Sequence, residues 1–185
     1  MRLMSNPTSA RRGSALVEFV LVGIAAVALM ITTAQMSIAM WNYHTLAYAV
    51  HETNRYIASH GEGCALGTNN CTITVSQVAQ KLASNAIGLL PANLTMTLTP
   101  NSGSSNAVSC NPVSACYSNT TGAQRWPPYT NLDNRATQPP NSPTYTTLQA
   151  SYSYNAVLIA MWYSTRSNSI STLTLTSQSQ IPMLF

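Results

Sequence analysis

At 185 residues the chain is long enough for one folded domain plus a membrane helix, and for little more. Only 6% of the residues are charged, which is low for a water-soluble domain, and Ser, Thr and Asn supply the polarity instead. The net charge of +4 is no argument for nucleic acid: Arg2, Arg11 and Arg12 precede Gly13, and the five basic residues beyond it face four acidic ones.

The first organised feature is Arg11-Arg12-Gly13-Ser14-Ala15-Leu16-Val17-Glu18-Phe19, which runs straight into an apolar stretch. Phe19–Ala34 is softened only by Thr32 and Thr33. With Ala15–Val17 before it and Met36–Trp41 after it, the segment is long enough to cross a hydrocarbon core of ~30 Å. A carboxylate is costly in a bilayer, so Glu18 at the head of this run is a functional residue by default. The three arginines before it are the charge bias that keeps an N-terminus cytoplasmic. No proline interrupts residues 14–60, and Gly61 and Gly63 follow. One helix over that span is ~70 Å long, of which about half fits in a bilayer. The projecting half carries two stripes. Leu46, Val50, Thr53 and Ile57 share one face and read as domain core. Trp41, Tyr48 and Arg55 recur every seven residues on another, either as a packing seam between subunits or as more core.

The arrangement of a basic pair, Gly13, Glu18 and Phe19 resembles the processing site of type IV prepilins, and specifically the TadE-like minor pilins of tight-adherence (Tad/Flp) systems. A second match lies about 35 residues on, where Ala49-Val50-His51-Glu52-Thr53-Asn54-Arg55-Tyr56 is similar to the Ala-x-x-Glu-x-x-Arg-Tyr segment of that family. The resemblance implies that residues 1–13 are a leader removed by a prepilin peptidase between Gly13 and Ser14. It implies that Glu18, fifth in the mature chain, pairs with a neighbouring subunit's terminal amine, which would offset its desolvation. Phe19 then stands sixth, as in TadE-like proteins. The implied partners are the peptidase, other Tad pilins and pseudopilins, and an inner-membrane assembly platform. Two other readings remain at this point. One is a plain signal anchor with an incidental acid. The other is a secretory signal cut near Thr32-Thr33-Ala34, which would set Glu18 inside an apolar region where such peptides avoid charge.

Four cysteines form two close pairs, Cys64/Cys71 and Cys110/Cys116. Neither has the spacing usual for zinc. Of the three possible connectivities the local one, Cys64–Cys71 with Cys110–Cys116, is favoured over the others and over free thiols, and it implies an oxidising compartment. Beyond the first pair, Thr74-Val75-Ser76-Gln77 has the form of a capping box. Val75, Val78, Ala79, Leu82 and Ala86 then mark an amphipathic helix to about Ile87, stopped by Gly88 and Pro91. Asn93–Thr99 alternates as a strand with Leu94, Met96 and Leu98 inward. Residues 100–144 hold seven prolines, the second cysteine pair and Trp126-Pro127-Pro128-Tyr129. So long a loop is functional or disordered, and the disulfide argues for partial order. Two further strands follow, one with Leu148, Ala150, Tyr152 and Tyr154 on one face, the other around Leu173 and Leu175. Between them Ala156–Tyr163 is an eight-residue apolar run. It is too short to span a membrane, and it reads as a buried strand or an apolar patch near the membrane or a neighbour.

Catalytic chemistry finds no foothold. His51-Glu52 opens like a zinc-protease motif, but Arg55 stands where the second histidine belongs. His44 and His51 alone make a poor metal site. Glu52 and Arg55 are helix neighbours and pair by default. With four acids, three histidines and no nucleophile elbow, no acid–base set assembles. Three Asn-x-Thr sequons, at Asn70, Asn93 and Asn119, are chance matches in a Thr- and Asn-rich chain. The sequence therefore predicts an α+β protein. A long N-terminal helix spans 14–60 and the membrane to about residue 40. The head, 61–185, is periplasmic. No cofactor, metal or nucleic acid is expected. The alternative is a membrane-anchored binding module, in which Trp126 and Tyr129 would touch a ligand such as a glycan.

Overall fold

The structure, a computed structural model, describes residues 8–60, 73–100, 106–126, 145–155 and 172–182. The long helix α1 covers Thr8–Ala58. It begins six residues ahead of the expected start at 14. Nothing from Thr8 to Arg12 breaks a helix, and one interior glycine costs only about 1 kcal/mol, so Gly13 marks no boundary in the backbone. The helix ends at Ala58 because its last carbonyls find partners there. Ser59 N donates to Arg55 O at 3.1 Å and His60 N to Ile57 O at 2.9 Å, while His60 Nδ1 lies 2.7 Å from Tyr56 O.

A two-residue strand, β1 (Ile73–Thr74), leads into α2 (Val75–Asn85). The capping box forms as the sequence predicts: Gln77 N donates to Thr74 Oγ1 at 3.3 Å, and Thr74 N to Gln77 Oε1 at 2.9 Å. Thr74→Ala is expected to lower the stability of the head by about 1 kcal/mol, read as a lower unfolding midpoint. Val75, Val78, Ala79 and Leu82 are buried. The helix stops two residues before Ile87, and Gly88 takes the turn with φ +85°, a conformation that a side chain disfavours.

Four strands make the main sheet: β2 (Leu94–Thr99), β3 (Val108–Cys110), β5 (Tyr145–Asn155) and β6 (Thr172–Pro182). Their order is β3-β2-β5-β6, antiparallel throughout. A separate ribbon pairs β1 with β4 (Arg125–Trp126), placing Ile73 opposite Trp126. The predicted alternation holds. Leu94, Met96 and Leu98 on β2 face the core with Leu148, Ala150 and Tyr152 on β5. The opposite face is Thr95, Thr97 and Thr99 beside Ser151, Gln149 and Thr147, continued by Thr176, Gln178 and Gln180. That surface is polar without charge, which is how so few ionisable residues suffice.

The outer half of α1 lies against β5, β6 and α2. Leu46, Val50, Thr53 and Ile57 are fully buried, as their spacing requires. Asn54, also fully buried, ties the helix to the sheet: its Nδ2 donates to Ser179 O at 2.9 Å and lies 3.2 Å from Ser179 Oγ. Asn85 Nδ2 donates to Thr53 Oγ1 at 3.3 Å across α1 and α2. The ribbon, β3 and two short 3-10 turns (Pro91–Asn93 and Val113–Tyr117) lie outside the sequence expectation. Residues 106–126 are not a free loop. They wrap the start of α2, where Val75 N donates to Gln124 O and Ser76 N to Gly122 O, each at 2.9 Å. The Ala156–Tyr163 run and the Cys64/Cys71 pair lie outside the described residues.

Candidate functional site

From Leu16 to Met40 no described side chain of α1 is buried. Phe19 is 78% exposed and Met30 73%. Over Ala15–Ala58 the helix is long and apolar enough to cross a membrane. An apolar column of this size is not stable in water and requires lipid or other helices around it. Its few hydroxyls are already satisfied within the helix. Thr32 Oγ1 donates to Ala28 O at 2.5 Å, Thr33 Oγ1 to Met30 O at 2.9 Å, and Ser37 Oγ to Thr33 O at 2.9 Å. Such back-bonding lets polar residues sit in an apolar medium. Gly13 and Ser14 lie in the N-terminal turns of this helix, and Glu18 lies one turn on, exposed on the same column as Phe19.

Trp41 and Tyr48 are 70% and 65% exposed, and the Arg55 side chain is 66% exposed. None of the three is core. They form an exposed strip along α1, whose upper end at Arg55 reaches a groove shared with the head. At the upper end of the strip Arg55 pairs with Glu52 at 3.6 Å, the expected helix-neighbour pair. Both residues are solvent-accessible, and the contribution to stability is small. They line an open groove of about 480 Å³ with Tyr56, Ala58, Ser59, Lys81, Ile181 and Pro182. Lys81 Nζ lies 5.7 Å from the Tyr56 ring centre, a cation–π contact between α2 and α1. The second matching segment of the long helix thus splits by face: Ala49 and Asn54 hold the head, and Glu52 and Arg55 meet the surface.

Cys110 and Cys116 form a disulfide, Cα atoms 5.7 Å apart, joining β3 to the following 3-10 turn. It is the pairing that the short spacing favoured. Trp126 corrects an expectation. It is 1% exposed in the core, packed where β4 meets β1, and is no ligand-facing residue. Tyr129 lies outside the described residues. Among the described residues no three His, Cys, Asp or Glu side chains converge on a point that could hold a metal ion. Two residues that organise the site have little sequence signal. Asn54 reads as an ordinary polar helix position, although its place beside Thr53 in a buried stripe hints at a buried bond. Lys81, the chain's only lysine, is distinguished by its rarity alone.

The architecture defines a class of protein: a small α+β head carried on a long helix whose first half is exposed and apolar. Residues 13–55 match the family model described as TadE-like protein. The match runs from Gly13 through Arg55, so it covers Glu18 and Phe19 and most of the second segment of α1 that carries the resemblance. No curated protein and no solved structure matches the chain.

Proposed function

We propose that the protein is a minor pilin or pseudopilin of a Tad/Flp type IV pilus, matured by a prepilin peptidase between Gly13 and Ser14. The observation that carries this reading is Gly13 followed by Glu18 at the start of an exposed apolar helix, within the TadE-like match. Arg2, Arg11 and Arg12 keep the leader cytoplasmic, and the helix anchors the chain in the inner membrane to about residue 40. The head then lies in the periplasm, where the Cys110–Cys116 bond is at home. Glu18 pairs with the amine of a neighbouring subunit, with Phe19 beside it in the helix seam. Trp41, Tyr48 and Arg55 extend that seam above the membrane. The partners are other Tad pilins and pseudopilins and the assembly platform, and the outcome is a filament used for surface adhesion. The role is structural and not enzymatic.

The N-terminus of the protein from its own host tests this reading. Native material is expected to begin at Ser14. A Gly13→Asp variant is expected to retain Met1 and the leader arginines, shown by intact mass, with no mature species. Mature protein beginning at Ser14 from the variant, or native protein that keeps its leader, would overturn the assignment.

A further inference from the structure

The head has a definite polarity along α1. Ile181 and Pro182 line one groove with Arg55, Ala58 and Ser59, and Ser179 bonds to Asn54. From Ser179 back to Leu173 is ~20 Å of strand. The same ~20 Å down α1 from Asn54 arrives at Trp41. Burial on α1 gives an independent check, because Asn42 is the first buried residue and everything described before it is at least partly exposed. The Leu173 end of the sheet therefore lies level with the top of the apolar column.

Other elements reach the same end. Leu94 pairs with Tyr152, and Tyr152 with Leu175, so the Pro91–Asn93 turn and Leu90 before it sit beside the Leu173 end. Lys81 stands by Tyr56 and Asn85 by Thr53, so α2 runs antiparallel to α1 and exits toward the column, carrying Ile87 with it. Four large hydrophobic residues are exposed in the described head, namely Ile87 (77%), Leu90 (62%), Leu173 (43%) and Tyr145 (37%). Leu90 and Leu173 sit at this end, and Ile87 follows the end of α2 that points toward it. Tyr145, opposite Pro182, marks the other. Charge is distributed the opposite way. Beyond Trp41 the described charged residues are Glu52, Arg55, Lys81 and Arg125, all set toward the far end.

We propose that this end of the head is a second membrane contact. Ile87, Leu90 and Leu173 seat in the boundary between lipid headgroups and acyl chains, beside Trp41 and Tyr43, and hold the head down on the bilayer. The occupant is a lipid surface because the rim is continuous with the column that lipid surrounds. Trp41 and Tyr43, 70% and 45% exposed, stand where an aromatic belt belongs. The proposal rests on the reading of α1 as a membrane-spanning helix.

The test uses the full chain in vesicles of phosphatidylethanolamine and phosphatidylglycerol. Photoreactive p-benzoylphenylalanine is placed singly at Ile87, Leu90, Leu173, Tyr145 and, as an insertion control, Ile24. Irradiation and mass spectrometry then count lipid adducts. Adducts at 87, 90 and 173 at least about fivefold above Tyr145 are expected. A strong signal at Ile24 with the three head sites no higher than Tyr145 overturns the contact and leaves the anchor standing. Protein–protein adducts in place of lipid at those three sites overturn it in favour of a neighbouring subunit. No lipid adduct at Ile24 overturns the reading of α1, and the contact with it.

Discussion

Trp126→Ala is expected to cost the head about 3–5 kcal/mol, the range for emptying a buried aromatic site. Trp126 heads the fully buried side chains by volume, and its neighbours cannot collapse easily. It is held by pairing with Ile73, and the loop before it is bonded to the first turn of α2. A domain of this size holds ~5–15 kcal/mol in total, so the variant sits near the threshold of folding. Chemical unfolding of the full chain in detergent, followed by circular dichroism, measures the loss. Trp126→Phe provides the sharper arm. The indole Nε1 is buried and has no hydrogen-bond partner among the described residues. Phenylalanine removes that orphaned donor, whose burial costs about 1–3 kcal/mol, while keeping much of the ring. Its net penalty is therefore expected to be less than half that of alanine. Equal penalties for the two variants would show that the indole nitrogen is bonded.

Much of this fold is legible in the sequence where a single periodicity decides the outcome. Leu46, Val50, Thr53 and Ile57 bury because a helix repeats every 3.6 residues, and Leu94, Met96 and Leu98 because a strand repeats every two. Thr74 and Gln77 cap α2 through contacts three residues apart. Failures occur where distant segments decide. Trp126 sits in a proline-rich stretch that looks like a binding loop, yet it becomes core because Ile73, 53 positions earlier, supplies a strand to pair with. No local pattern announces a two-residue ribbon. The proposed processing site rests on residue chemistry and not on structure, since α1 runs through Gly13 without a break. Leu173 shows the same limit. Its alternation places it on the inner face with Leu175, but it lies at the end of an edge strand and stays 43% exposed.

Sparse charge and a polarised head fit one physical picture. The sheet's outer face, with Thr97, Gln149 and Gln178 in one row, keeps the head hydrated without ions. Few ionisable groups then need to be kept clear of lipid when the head sits close to the bilayer. The strip of Trp41, Tyr48 and Arg55 stays exposed on α1, where a neighbouring helix can reach it.

Gly122→Ala is expected to damage the head through a different route, by displacing the backbone that starts α2. An added Cβ would lie 1.7 Å from Cys116 O and 2.8 Å from its carbonyl carbon. Backbone atoms cannot swing aside as a flexible side chain can, and Cys116 is pinned to β3 by its disulfide. The loop must therefore move by more than an ångström. Gly122 O accepts from Ser76 N and Gln124 O from Val75 N, each at 2.9 Å, while Gly122 N donates to Asn119 Oδ1 at 2.7 Å. Shifting the loop strips these partners from the first turn of α2 and drags Trp126, four residues on, out of register. Overpacking costs about 1–3 kcal/mol, and each of the two donors left without a partner about 1–3 more, so a total loss of at least roughly 3 kcal/mol is expected. Gly88→Ala is the control. Its φ of +85° strains any side chain, but nothing lies within 4 Å of the new methyl group, and roughly 1–2 kcal/mol is the expected penalty. Amide exchange should rise at Val75 and Ser76 in Gly122→Ala and stay unchanged there in Gly88→Ala. If Gly122→Ala proves no more costly than Gly88→Ala, the loop is free to move and does not serve as the cap of α2.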